Sequence, residues 1–206
     1  MKQQISTTSW LVATFSGWLA GFVAALALSQ VFDAAGIEHL NFHLGAGMGL
    51  GVGLLQWLRL RRIGVGARWM WYSAIGLAIP YIVLDAANYL FHQPSPLMRI
   101  ALGTAAGGIA AGLLQFTLLG GRSPVTASGW ALRCFLGWTS GALGVAGVDY
   151  TKYISDNNLA LLFLNLTLLL CGGVVLGLLT AKPVVQFSEQ NADASEPNNT
   201  TVAAEY

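Results

Sequence analysis

The sequence predicts an all-α integral membrane protein of six transmembrane helices, arranged as three tandem parallel helical hairpins. Three observations predict it. Only 9 % of the 206 residues are charged while 55 % are hydrophobic, against about 25 % charged in a typical soluble domain. Mean hydropathy is +0.61. Most of the 25 glycines lie inside the apolar runs, where close helix contact in lipid uses them, rather than in linkers.

A helix needs about 20 mostly apolar residues to span the hydrocarbon core, and the gaps between charges supply six such stretches. The first lies between Lys2 and Asp33 and centres on residues 10–32; the second lies between Glu38 and Arg59. The third runs from Arg68 to about Phe91 and carries Pro80, which membrane helices tolerate. The fourth fills Arg99 to Arg122, the fifth runs from about Ser128 to Val148, and the sixth from Asn157 to Ala181. A cleaved signal peptide is the competing reading of the first stretch. It is set aside because the apolar run is longer than a signal core and shares the repeat described below.

Lys and Arg distribution sets orientation. Lys2, Arg59, Arg61, Arg62, Arg68, Arg122, Arg133 and Lys182 fall on the side of the termini, with only Arg99 and Lys152 opposite. The acids Asp33, Glu38, Asp85, Asp149 and Asp156 all fall on that second side. Both termini are expected to be cytoplasmic, in an inner (plasma) or internal bacterial membrane. Residues 1–182 form the transmembrane domain in this reading. Residues 183–206 turn abruptly polar and predict a disordered cytoplasmic tail. The sequon at Asn199 then lies on the wrong side for glycosylation.

The chain repeats internally. Trp10, Gly17, Trp18 and Gly21 return as Trp130, Gly137, Trp138 and Gly141, and the third stretch offers Trp69, Gly76, Leu77 and Pro80 at the same separations. In the even stretches, Gly49-xxx-Gly53-Leu-Leu-Gln56-Trp57 returns as Gly108-xxx-Gly112-Leu-Leu-Gln115-Phe116, then as Gly173-xxx-Gly177-Leu-Leu-Thr180. One shift of 59 residues maps both helices of the first unit onto the second; the third unit needs shifts of 61 and then 65. Units at about 9–62, 68–122 and 128–182 each start on the cytoplasmic side, so they are parallel repeats about an axis along the membrane normal. The six glycines are expected at helix contacts, and the odd-helix tryptophans at the inner interface.

The run from Gly49 to Arg62, Gly-xxx-Gly-Leu-Leu-Gln-Trp-Leu-x-Leu-Arg-Arg, resembles a motif of uncharacterised bacterial multi-pass membrane proteins. Their repeated Gly-x-x-Gln-Trp-Leu-x-Leu-Arg segments are followed by a Trp-rich helix, as Trp69 to Gly76 is here. The second unit has Phe116 for Trp and only Arg122 from the basic cluster; the third has Thr180 for Gln. The resemblance implies the repeat and the membrane location, and no activity.

Candidate chemistry is sparse. Glu38, His39 and His43, with His92 near the next outer loop, form an outer polar cluster. His39 and His43 share a helix face at a spacing of four, and with His92 and Glu38 they are the candidate metal ligands; the alternative is interfacial histidines meeting headgroups and water. Gln56, Gln115 and Thr180 hold equivalent places, as a polar ring at a pore mouth or as hydrogen-bond partners of neighbouring helices. Trp18 and Trp138 read as space-fillers beside glycines, and Arg133 as a snorkelling cation. Cys134 and Cys171 read as small apolar residues. Net charge is +1, so no nucleic-acid partner is suggested. No hydrolase, Walker, zincin or dinucleotide signature is present, and no cofactor is specified. The expectation is therefore a non-catalytic protein: a scaffold, assembly or accessory subunit held among lipids and other membrane subunits. The alternatives are a small-solute channel or substrate-binding transport component, and a cofactor- or metal-binding membrane protein.

Overall fold

The computed structural model describes residues 4–37, 40–91, 96–119, 125–151, 153 and 157–193. These residues form six α-helices: α1 (Thr7–Ala34), α2 (Phe42–Leu60), α3 (Arg68–Phe91), α4 (Pro96–Leu119), α5 (Ala127–Thr151) and α6 (Asn158–Asp193). Among the described residues there is no strand. Each helix coincides with one charge-poor stretch. The Ser6 hydroxyl accepts from the Ser9 amide at the head of α1. A short 3-10 turn, Arg61–Ile63, ends α2 on Gly64, whose φ of +89° is one that other residues rarely adopt.

Four helices, α1, α3, α4 and α6, are long and apolar enough to cross a membrane. The other two are richer in glycine or carry a charge. Five of the 19 residues of α2 are glycine, and α5 carries glycines together with Arg133.

Each helix packs against its neighbours in the chain, and α6 returns to α1, so the six close into a ring. Neighbours run antiparallel: Gly17 and Gly21 of α1 meet Val52 and Met48 of α2, and Gly173 and Gly177 of α6 meet Trp18 and Leu11 of α1. Glycines make these seams. A Cβ built on Gly49 would sit 2.5 Å from the Ser73 carbonyl oxygen, and one on Gly53 would sit 2.7 Å from the Ser73 Cβ, both on α3. On Gly112 it would meet the Ala131 Cα of α5 at 2.8 Å, and on Gly108 the Cys134 carbonyl at 3.0 Å. On Gly173 and Gly177 it would meet side chains of α1, the Trp18 Cβ at 2.8 Å and the Leu11 Cδ1 at 2.6 Å. Thus each even helix turns its glycine pair toward the odd helix that follows it around the ring. The odd helices answer with Gly17, Gly76 and Gly137, set against Val52, Ala111 and Leu176 of the helix after each.

The tail departs from expectation. Rather than ending near Ala181, α6 continues through Pro183 to Asp193, so residues 183–193 are helical. Ala181, Val184, Phe187 and Ser188 are buried at spacings of three and four, and the Ile5 amide donates to the Ser188 hydroxyl at 2.9 Å. The loss of one ladder hydrogen bond at Pro183 is offset by this burial against Ile5, Leu60, Ile63 and Val65. The polar residues that suggested disorder, Glu189 and Asp193, occupy the exposed side. Residues 194–206, with Asn199, lie outside the described residues.

The seams predict a graded response to methyl groups. Gly49→Ala and Gly112→Ala place a Cβ against backbone and should each destabilise by about 1–3 kcal/mol. Gly177→Ala meets the end of a leucine side chain that can rotate away, and should cost less. Gly66→Ala, with nothing within 4 Å, should be neutral. Thermal unfolding in detergent reads all four; equal midpoints would remove the glycines from the helix contacts.

Candidate functional site

The interior of the ring is built in layers, beginning at the end that carries the termini. Trp10, Trp69 and Trp130 are fully buried and meet around the axis. Trp69 lies edge-on to both others, at centroid distances of 6.5 Å to Trp10 and 6.0 Å to Trp130. This corrects their assignment to an interfacial belt: a tryptophan repeated once per hairpin has its ring inside the bundle, where an indole fills the gap left between helices that do not touch. Trp71 is the exposed one, at 53 %.

Each buried indole N–H needs an acceptor, and each finds one on a neighbouring even helix. Trp69 Nε1 donates to Gln56 Oε1 at 3.1 Å, Trp130 Nε1 to Gln115 Oε1 at 3.3 Å, and Trp10 Nε1 to Thr180 Oγ1 at 2.9 Å. The glutamine amides then reach across to the preceding odd helix. Gln56 Nε2 donates to Thr14 Oγ1 at 3.2 Å and Gln115 Nε2 to Ser73 Oγ at 2.8 Å. Thr14 and Ser73 each follow a tryptophan by four residues. So does Cys134, whose thiol instead donates to Gln115 Oε1 at 3.7 Å. Thr180 is too short to bridge to α5, and its own hydroxyl donates to the Leu176 carbonyl. The structure thus brings Gln56, Gln115 and Thr180 into one layer, all buried, with their polar atoms spent on tryptophans and hydroxyls. They do not line an aqueous mouth. The hydroxyl or thiol four residues after each of these tryptophans is a signal the sequence analysis does not use, although Trp-xxx-Thr/Ser/Cys recurs in all three units.

Eight residues farther along each odd helix, about 12 Å, stand Trp18, Leu77 and Trp138. The two indoles stack at 5.0 Å, and Trp18 Nε1 donates to the Leu169 carbonyl. Trp18 also lies against Gly141, Gly172 and Gly173. The next turn brings Phe22, Tyr81 and Ala142. These two layers are incomplete, because leucine stands in one third of the first and alanine in one third of the second. The result is a chamber of about 220 Å³ lined by residues of α1 to α5. Its few polar atoms include the hydroxyls of Tyr81 and Thr104, hydrogen-bonded to each other at 2.6 Å, while Tyr81 also donates to the Ile100 carbonyl.

At the far end, Asp85 of α3 is buried and caps α2, which has no cap of its own. Its carboxylate accepts from the Asn41 and Phe42 amides at 2.7 and 3.0 Å and from Asn41 Nδ2 at 3.0 Å, a charge-assisted cap at a helix N-terminus. His43 is buried with its ring centroid 6.2 and 6.3 Å from those of Phe32 and Phe42. Its proposed companions Glu38, His39 and His92 lie outside the described residues; among those described, no three His, Cys, Asp or Glu groups converge as a metal site requires. Arg133 is half-buried and donates to the Leu179 carbonyl of α6 at 2.9 Å.

The chain matches no protein-family model, no curated protein and no solved structure.

The polar layer predicts unequal losses. Gln56→Leu orphans both the Trp69 indole and the Thr14 hydroxyl it served, and should cost about 1–3 kcal/mol. Thr180→Val orphans one indole and should cost less. Chemical unfolding in mixed micelles separates them. A neutral Gln56→Leu would mean that the amide bridges nothing.

Proposed function

We propose that the chain is a non-catalytic, six-span bacterial membrane protein of three parallel hairpin repeats, both termini cytoplasmic, that holds a small apolar molecule within its bundle. One observation carries the functional part: an apolar chamber lies on the ring axis above a sealed aromatic layer. An apolar cavity with one or two polar contacts is the usual form of a small-molecule site, and even a 150 Å³ apolar void takes up benzene-sized ligands. The layer of Trp10, Trp69 and Trp130, backed by Val184 and Phe187, blocks the axis at the inner end. It favours binding over conduction, so the reading is a binding component rather than a channel. A purely structural subunit is the second reading. The densely packed seams support it, but it leaves the chamber unused.

Support for the repeat comes from contacts that recur at its own spacing. The pairs Gly17–Val52, Gly76–Ala111 and Gly137–Leu176 and the three indole bonds follow the shifts seen in the sequence. Support for six spans comes from the ring itself: α2 and α5 alternate in direction with four apolar helices and, at 19 and 25 residues, are long enough to cross the hydrocarbon core. The family resemblance and the bacterial membrane rest on the Gly49–Arg62 motif.

Two experiments test the proposal. Trp18 and Trp138 line the chamber, so a short brominated alcohol should quench tryptophan emission saturably in the purified protein. Ala142→Phe, which fills the chamber, should remove the saturable part. Equal quenching in both proteins would rule the chamber out as the site. For topology, with Cys134 and Cys171 replaced by Ala, Gly66→Cys should label only from the cytoplasm and Ile37→Cys only from outside. The converse pattern would invert the orientation.

A further inference from the structure

A second recess, sharing no lining residue with the chamber, lies in the seam between α1 and α2. Its floor is apolar, with Val12 from α1 and Leu55 and Leu58 from α2, and Arg59, Arg61 and Arg62 stand around it; its volume is about 250 Å³. The cations converge because α2 passes into the 3-10 turn at Arg61–Ile63, which packs all three guanidinium-bearing positions into little more than one turn. Arg61 is also steadied over the Trp57 ring, at 5.7 Å from its centroid.

This combination belongs to one seam of the three. At the matching places of the second unit stand Leu118, Gly120 and Gly121, and in the third Pro183, Val185 and Gln186. A basic loop serving only to fix orientation has no need of an apolar trough beneath it, nor of three arginines at its edge. Among the described residues, no acidic side chain lines the recess.

We infer that this recess binds one anionic phospholipid of the inner leaflet, with an acyl chain along Val12, Leu55 and Leu58 and the phosphate held by Arg59, Arg61 and Arg62. The chemistry divides as an amphiphile divides. The planar guanidinium fork matches phosphate oxygens in pairs, and anionic lipid concentrates basic residues at the inner surface. The floor places apolar surface where an acyl chain continues from that headgroup. The inference rests on the membrane reading above but not on the chamber. Its test uses detergent-purified protein, so neither chamber occupancy nor orientation in the cell affects the outcome.

The measurement is lipid retention by native mass spectrometry, with phosphatidylglycerol, phosphatidylcholine of the same chains, and inorganic phosphate as probes. The wild-type protein should retain phosphatidylglycerol about tenfold over phosphatidylcholine. Arg59→Gln with Arg62→Gln, which leaves Arg61 and Arg68 to hold the orientation, should reduce that preference to about twofold or less. Lysines at the same two positions should restore part of it, as point charges without the fork. Ser16→Phe, which crowds the recess and leaves every arginine, should weaken retention of both lipids. An unchanged preference in the glutamine variant overturns the site. Displacement of the lipid by equimolar inorganic phosphate, with Ser16→Phe behaving as wild type, overturns the lipid and leaves a free-anion site.

Discussion

Close approach of helix backbones is the constraint on which everything else here depends. Lipid offers no hydrophobic drive for helices to associate, so association relies on packing and on polar contacts between helices. In this chain the packing is supplied at glycines, where neighbouring backbones take the volume a Cβ would need: Gly49 against the Ser73 carbonyl, Gly112 against Ala131, Gly76 against Ala111. Because even helices meet the next odd helix by one glycine pair and the preceding one by another contact, every helix has two close seams. Six antiparallel helices with two seams each close on themselves.

Closure creates an interior, and the interior dictates what fills it. Odd helices are held apart by the even ones between them, leaving a gap wide enough for indoles. Three buried indoles bring three N–H groups that cannot be left without acceptors, which explains why a glutamine or threonine accompanies each. The glutamines serve twice, since an amide is both acceptor and donor, and thereby tie α1 to α3 and α3 to α5. Thr180 serves once. The same logic accounts for the chamber: where Leu77 and Ala142 replace larger residues, the axis is unfilled. The chamber lies where the three hairpins differ in side-chain size.

Much of this was legible in the residues. The charge gaps located each helix, and the shift of 59 residues picked out glycines that the fold places at its seams. The places where the reading failed share a cause. Tryptophans near the ends of apolar stretches were assigned to the interface, because sequence position reports depth and not which side of a helix faces inward. The tail after Pro183 was expected to be disordered from its composition. Its buried positions, Val184, Phe187 and Ser188, are too few to announce a helix until Ile5 and Leu60 are brought beside them.

The sequence by itself determined the apolar surroundings and the places of the helices, because composition and charge spacing are local properties that need no partner to have meaning. Only the tertiary structure decided that the ring closes, that the polar residues at positions 56, 115 and 180 face indoles instead of water, and that a chamber and an arginine-rimmed recess exist. Each of these depends on side chains from helices distant in the chain, as Trp10 and Thr180 are, and on volumes left between them. Volume left unfilled has no residue of its own, so nothing written along a single chain can announce it.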